Sequence, residues 1–182
     1  MEEGKRMTLN PRHLLITGPP GCGKTTLLLR LARHFADRHP AGFYTEEIRE
    51  AGVRQGFCLE SLDGRQGVLA HVDFQGGPWV GRYGVDVTGF EAFLDGLEFS
   101  APLVFIDEIG KMECLSPRFV ARLRELLDSD RTVVATVALK GSGVIAEVKQ
   151  RGDCRLVEMR PGERVALLTT LCRDLGCRFG KE

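Results

Sequence analysis

Gly18-Pro19-Pro20-Gly21-Cys22-Gly23-Lys24-Thr25 is the stretch that decides the fold. It follows the pattern G-x-x-x-x-G-K-T, and its flanks suit the pattern. His13-Leu-Leu-Ile-Thr17 before it is an apolar run that reads as a buried strand. Thr25-Thr-Leu-Leu-Leu-Arg-Leu-Ala-Arg-His-Phe35 after it reads as a helix. A strand, a glycine loop and a helix start together build an anion site. Glycines let successive backbone N–H groups turn inward, and the helix N-terminus adds its partial positive charge. In such a loop Lys24 reaches the β- and γ-phosphates of a nucleotide, and the Thr25 hydroxyl ligates Mg2+. Gly18 to Thr25, with Thr26, form the first half of the expected nucleotide site. Cys22 contributes its backbone there.

The second half lies far along the chain. Leu103-Val-Phe-Ile106 is wholly apolar, as in a central parallel strand covered on both faces, and it ends in Asp107-Glu108. In enzymes with a phosphate loop, a carboxylate at the end of such a strand holds the metal shell. Asp107 is that candidate, and Glu108 can orient a water molecule for in-line attack on the γ-phosphate. Read alone, a hydrophobic strand ending in Asp-Glu fits any α/β protein; the loop upstream favours the catalytic reading. Extra positive charge for the transition state has five candidates, Arg49, Arg54, Arg82, Lys111 and Arg151. Sequence does not choose among them, and each also reads as a solvated surface charge.

Between these halves the punctuation is clear. His39-Pro-Ala-Gly42 stops the first helix. Strands follow at Phe43–Glu50, Gln55–Ser61 and Gln66–Val72, separated by Ala51-Gly52 and the hairpin signal Asp63-Gly64. Residues 43–72 thus read as an antiparallel β meander inserted after the first βα unit. Thr45, Glu46, Glu47 and Arg49 read either as a strip near the γ-phosphate or as an exposed strand face with cross-strand charge pairs. Gly76–Gly84 reads as a glycine-rich connection, in which Trp79 and Tyr83 either stack on a base or pack locally. Thr88 can cap a helix over Gly89–Leu97. Ser116-Pro117 is a helix start, with Phe119, Val120, Leu123, Leu126 and Leu127 on one face. Thr132–Ala138 is a further buried strand, Gly143–Gln150 a helix and Cys154–Met159 a strand. Pro161–Leu175 is a last helix with Val165, Leu168 and Leu171 inward. Alternating strands and helices predict an α/β fold with a mostly parallel central sheet.

The chain has 182 residues, enough for one domain over residues 1–182 with a full core, residues 1–10 being a polar tail. Lys plus Arg and Asp plus Glu each number 25, so the zero net charge gives no global pull toward nucleic acid or an anionic membrane. No apolar run reaches a membrane span, and the N-terminus lacks a signal-peptide core, which predicts a cytoplasmic protein. The six cysteines contain no C-x-x-C pair and the histidines are not spaced as zinc partners, so reduced thiols are expected.

Four segments together resemble one family. They are Ile16-Thr-Gly-Pro-Pro-Gly-Cys-Gly-Lys-Thr-Thr-Leu27, Gly42-Phe-Tyr-Thr-Glu-Glu-Ile-Arg49 with Gly56-Phe57, Val80-Gly-Arg-Tyr-Gly-Val-Asp86, and Ile106-Asp-Glu-Ile-Gly-Lys-Met-Glu113 with Ser116 and Phe119. The family is the small P-loop nucleoside-triphosphatases, which include the thermophile NTPases and the cancer-related nucleoside-triphosphatase. The resemblance implies a three-layer P-loop NTPase fold of the RecA-like (ASCE) arrangement, with a strand added between the loop strand and the Walker B strand. It implies Mg2+-dependent hydrolysis of nucleoside triphosphates, ATP and GTP among them, to diphosphate and phosphate, with broad base tolerance and slow turnover. It implies nucleotide contacts from Gly18–Thr25 and from Leu103, Val104, Phe105, Ile106, Asp107, Glu108, Ile109 and Gly110. A monomer is expected. Two departures stand out: Cys114 where the family often has Leu, and Glu163-Arg164 where it tends to have Asn-Arg.

Two other classes fit the phosphate loop. A small nucleotide or nucleoside kinase needs an acceptor pocket and usually an arginine-rich lid, whereas Arg151, Arg155, Arg160 and Arg164 are dispersed. A nucleotide-switched module that binds RNA or protein would suit slow hydrolysis, but the neutral charge argues against general nucleic-acid binding.

Overall fold

The structure, a computed structural model, describes residues 11–180. Its organising element is the buried strand before the glycine loop, β1 (His13–Thr17), followed by helix α1 (Lys24–His34). Four strands run on from there: β2 (Ala41–Glu50), β3 (Val53–Ser61), β4 (Gln66–His71) and the two-residue β5 (Trp79–Val80). Next come β6 (Tyr83–Val85), α2 (Val87–Asp95), β7 (Leu103–Ile109) and α3 (Pro117–Asp128). The chain closes with β8 (Thr132–Val137), α4 (Val144–Gln150), β9 (Cys154–Glu158) and α5 (Arg164–Arg178).

Among the described residues the nine strands form one sheet in the order β5-β6-β4-β3-β2-β7-β8-β1-β9. From β2 to β9 neighbours are parallel, and β8 lies between β7 and β1. This is the added strand of the RecA-like arrangement. Both β7 and β8 are near-continuous apolar runs because helices cover both faces. The side chains of β7 divide by the two-residue period of a strand. Val104 and Ile106 join a core with Phe90 of α2, Leu123 of α3 and Ile145 of α4. Leu103 and Phe105 join a second core with Leu28 of α1 and Leu171 of α5. Each such fully buried Leu or Phe contributes about 1.5–3 kcal/mol.

The antiparallel meander is continuous with the parallel sheet. The first residues of β2 pair in parallel with β7, and β2 pairs antiparallel with β3 along its length, so one sheet changes direction at this strand. Gly42 permits the close pairing: at φ +126, a Cβ there would lie 1.8 Å from the Phe105 carbonyl oxygen. The glycine-rich connection holds the short strands β5 and β6, which extend the antiparallel edge.

Helix starts follow capping chemistry. Ser116 Oγ accepts from the Phe119 N–H at 3.0 Å with Pro117 next in line, as read from the sequence. Asp86, rather than Thr88, caps α2 by accepting from the Gly89 N–H at 2.8 Å; its carboxylate meets an orphan donor three residues further along the chain. Helix α5 is displaced toward the C-terminus from 161–175. Its buried stripe is Leu171 and Leu175, and Val165 is 65% exposed. All six cysteines are free thiols. Among the described residues no helix is long and apolar enough to cross a membrane.

Candidate active site

The loop between β1 and α1 closes tightly on the end of β9. A Cβ on Gly18 would lie 2.3 Å from the Met159 carbonyl oxygen, so only glycine fits. Gly21 (φ +76) and Gly23 (φ +97) also take left-handed conformations and let the backbone curl over the α1 N-terminus. Lys24 Nζ donates to the carbonyls of Gly18 at 3.1 Å and Pro19 at 3.3 Å, holding the ammonium across the loop.

The acidic half arrives on β7. The pairing of β7 with β8 runs to Ile106 opposite Ala135 and resumes at Ile109 opposite Val137. Asp107 and Glu108 thus occupy a bulge, the device that re-aims side chains out of a ladder. Asp107 is 2% exposed and held by three hydroxyls. Thr25 Oγ1 donates to Asp107 Oδ2 at 2.9 Å, and the Thr45 hydroxyl and N–H donate to the same oxygen at 3.3 and 3.4 Å. The Thr136 hydroxyl donates to Oδ1. Thr25 and Asp107 make an all-oxygen donor set, which fits a hard divalent cation and not a soft metal.

These groups share a cleft of about 820 Å³. Gly18, Pro20, Gly21, Gly23, Lys24, Thr25, Thr26, Asp107 and Glu108 line it, with Thr45, Glu46, Glu47, Lys111, Glu113 and Lys140 among the rest of the wall. Burial and the Asp107 carboxylate push the Glu108 carboxyl above its usual range, while the ammonium groups of Lys24 and Lys149 pull it down. Glu113 is only 5% exposed, and burial drives its carboxyl up to about 8.

The remaining expected contacts are placed elsewhere. Leu103, Val104, Phe105, Ile106 and Ile109 are at most 1% exposed, with side chains in the two apolar cores. The structure does not bring them to the cleft wall; they carry the two carboxylates to it. Gly110, Pro19 and Cys22 are not among the residues that line the cleft, and Pro19 offers its carbonyl to Lys24. Of the five cation candidates, Lys111 lines the cleft. Arg49 and Arg54 both bind Glu47 at the rim, and Arg82 donates to the Arg54 carbonyl. Arg151 binds Asp128 and Asp153 beside the first residue of β1, at the strand end away from the loop. Tyr83 is buried and packs edge-on against Phe57, while Trp79 is exposed outside the cleft.

Two groups around the site escape a reading of sequence alone. Thr136, which holds Asp107 from below the cleft, is a polar residue within the buried run Thr132–Val137, which was its only signal. Glu113 has the composition of an exposed turn, and only packing reveals its burial.

Strand order and loop geometry define a P-loop NTPase fold. The sequence profile of the family described as NTPase matches residues 13–172, and the chain belongs to that family. It is 39% identical to the nucleoside-triphosphatase THEP1 of Thermotoga sp. (strain RQ2), over 93% of this chain and 98% of that protein. It is 34% identical to the cancer-related nucleoside-triphosphatase of Homo sapiens, over 86% and 93%. The crystal structure of THEP1 from the hyperthermophile Aquifex aeolicus superposes with a TM-score of 0.75 at 30% identity, covering 87% of this chain and 96% of that one.

Proposed function

We propose that this protein hydrolyses nucleoside triphosphates at the γ-phosphate, releasing diphosphate and phosphate with the help of Mg2+. One observation carries the reading: Thr25 Oγ1 lies 2.9 Å from Asp107 Oδ2, with Glu108 the next residue, in the cleft that also holds Lys24. Loop N–H groups and Lys24 cradle the phosphates. Thr25 and Asp107 would hold Mg2+, which suits a site of few protein oxygens completed by phosphate and water. When bound, the ion supplies charge neutralisation on the β- and γ-oxygens. Glu108 orients the attacking water and accepts its proton, and Lys24 stabilises charge on the departing diphosphate. The family resemblance supports broad base tolerance and slow turnover, and a monomeric, single-domain, cytoplasmic protein belongs to the same proposal.

Hydrolysis is favoured over phosphoryl transfer to a nucleotide acceptor because Arg151, Arg155, Arg160 and Arg164 do not gather over the cleft as a lid: Arg151 pairs with Asp128 and Asp153, Arg155 with Asp174, and of the four only Arg164 is packed against the loop, at Gly23. The test is Glu108→Gln. Nucleotide affinity should stay at the wild-type value while phosphate release falls by about 100-fold or more. Wild-type turnover in that variant refutes the water-activating role. Phosphate transfer that appears only with added nucleoside monophosphate favours the kinase.

A further inference from the structure

We infer that Arg164 binds the α-phosphate of the nucleotide, from the side of the phosphate loop opposite the two carboxylates. The inference rests on the proposed reading that the loop holds a nucleotide. Arg164 is the first residue of α5, and its side chain lies against the loop. A Cβ on Gly23 would lie 3.3 Å from Arg164 Nη1 and 3.6 Å from its Cδ, with the Met159 methyl at 3.5 Å. Gly23 is the residue that opens α1, so the guanidinium stands beside the start of that helix as well as at the start of its own.

The charge there has no protein partner. Among the described residues Arg164 makes no ion pair, and its Nε is buried without a hydrogen-bond partner. The adjacent acid, Glu163, turns back on its own turn, Oε2 accepting from the Arg160 N–H at 3.1 Å. Both helix starts carry partial positive charge, and neither α1 nor α5 has an acidic residue in its first turn or a side-chain cap. A cation between two positive helix ends is repelled until an anion joins them. Phosphate is the anion a guanidinium grips best, through charge-assisted hydrogen bonds.

Strand order selects the phosphate. The order β7-β8-β1-β9 sets Asp107 and Glu108 on one side of the loop strand, and the end of β9, which leads into Arg164, on the other. With the γ-phosphate at the carboxylates, the α-phosphate is the one turned toward Arg164. The bond that breaks is at the γ-phosphate, so the α-phosphate keeps its charge throughout. A contact to it strengthens ground and transition states equally, and shows in KM and not in kcat. Every nucleoside triphosphate has this group, so the contact is blind to the base.

The experiment compares wild type with Arg164→Met, Arg164→Gln and Arg164→Lys. Steady-state kinetics use ATP, GTP, CTP and UTP, and equilibrium binding uses ADP. Methionine keeps an unbranched stem against Met159 and Gly23 and removes the charge. Arg164→Met should raise KM for all four triphosphates and Kd for ADP by about 10–100-fold, with kcat within about threefold of wild type. Arg164→Gln, which keeps a polar tip, should do the same and decides the matter if the methionine variant folds poorly. Arg164→Lys restores the charge and should bring the ADP Kd to within about fivefold of wild type. Without nucleotide, the melting temperature of Arg164→Met should equal or exceed that of wild type, because an unpartnered cation has been removed. Wild-type KM and Kd in both neutral variants overturn the inference. So does a loss confined to ATP and GTP, which marks stacking on a purine, and so does a fall in kcat at unchanged KM, which marks charge stabilisation at the γ-phosphate. Neutral variants that all melt lower without nucleotide and bind ADP as wild type does assign Arg164 to packing and overturn it too. If wild type releases no phosphate yet the neutral variants bind ADP more weakly, the hydrolysis reading falls and this inference stands.

Discussion

Thr25 Oγ1 donates a 2.9 Å hydrogen bond to Asp107 Oδ2 across 82 residues of sequence. The contact joins the first turn of α1 to the end of β7, and the sheet order makes it possible by setting only β8 between β1 and β7. Thr136 on β8 donates to the other oxygen of the same carboxylate, so the intervening strand takes part in the contact.

Replacing that carboxylate tests the arrangement. Asp107→Asn puts an amide NH2 among hydroxyl donors that now all point at oxygen. Leaving part of this buried set unpaired should cost about 1–3 kcal/mol, read by urea unfolding. Loss of the charge should also abolish the stimulation of phosphate release by Mg2+. An unchanged Mg2+ titration removes Asp107 from the metal site.

Lys24→Ala should weaken both binding and turnover, because in the proposed reading the ammonium would meet phosphate in ground and transition states alike. Turnover should fall by about 100-fold or more. Thermal stabilisation by nucleotide should shrink with affinity. A variant that binds as well as wild type contradicts the cradle.

Glu113 makes stability depend on pH in a defined direction. Its folded-state value, about 8, lies above the ordinary 4.5, so the native state holds the proton more tightly than the unfolded chain. The stabilisation is complete below pH 4.5 and is lost as pH rises toward 8. Over that window wild type should lose stability relative to Glu113→Leu, on the order of 4 kcal/mol in all. Parallel pH–stability curves for the two proteins would show Glu113 ionised in the fold.

At the opposite end of β1, His13 should be neutral. Burial lowers its pKa, with the Asp153 carboxylate opposing. Neutral imidazole satisfies both neighbours, Nε2 donating to the Leu127 carbonyl at 3.0 Å and Nδ1 accepting from the Val133 N–H at 3.1 Å. Stability should therefore fall as pH drops below 6.5 toward the lowered value. His13→Phe should remove that acid limb and cost about 1–3 kcal/mol at neutral pH through the unpaired Val133 N–H. Nitrogen NMR reads the tautomer directly.

Much of this was legible in the chain because the signals are local. The loop Gly18–Thr25 carries its conformation in its glycines. The apolar runs Leu103–Ile106 and Thr132–Ala138 announce strands buried on both faces, and Ser116-Pro117 announces a helix start. Local signals misled where two readings shared one pattern. Thr88 and Asp86 both lie at the start of α2, one inside its first turn and one before it, and the first turn of α5 repeats the apolar spacing of its buried face, so Val165 read as inward. The family resemblance implied nucleotide contacts from the whole segment 103–110, whereas alternation and packing send the side chains of Leu103–Ile106 into the cores.

The sequence by itself determined an α/β chain with a phosphate loop and two acidic residues at the end of a buried strand, since those features depend on residue type and spacing over a few neighbours. Only the tertiary structure decided that β2 joins the antiparallel and parallel halves in one sheet, that Thr45 and Thr136 clasp Asp107, that Arg151 lies away from the cleft, and that Glu113 is buried beside Glu108. Those facts depend on which distant segments pack together, and burial sets the charge of a carboxyl group only once its neighbours are in place.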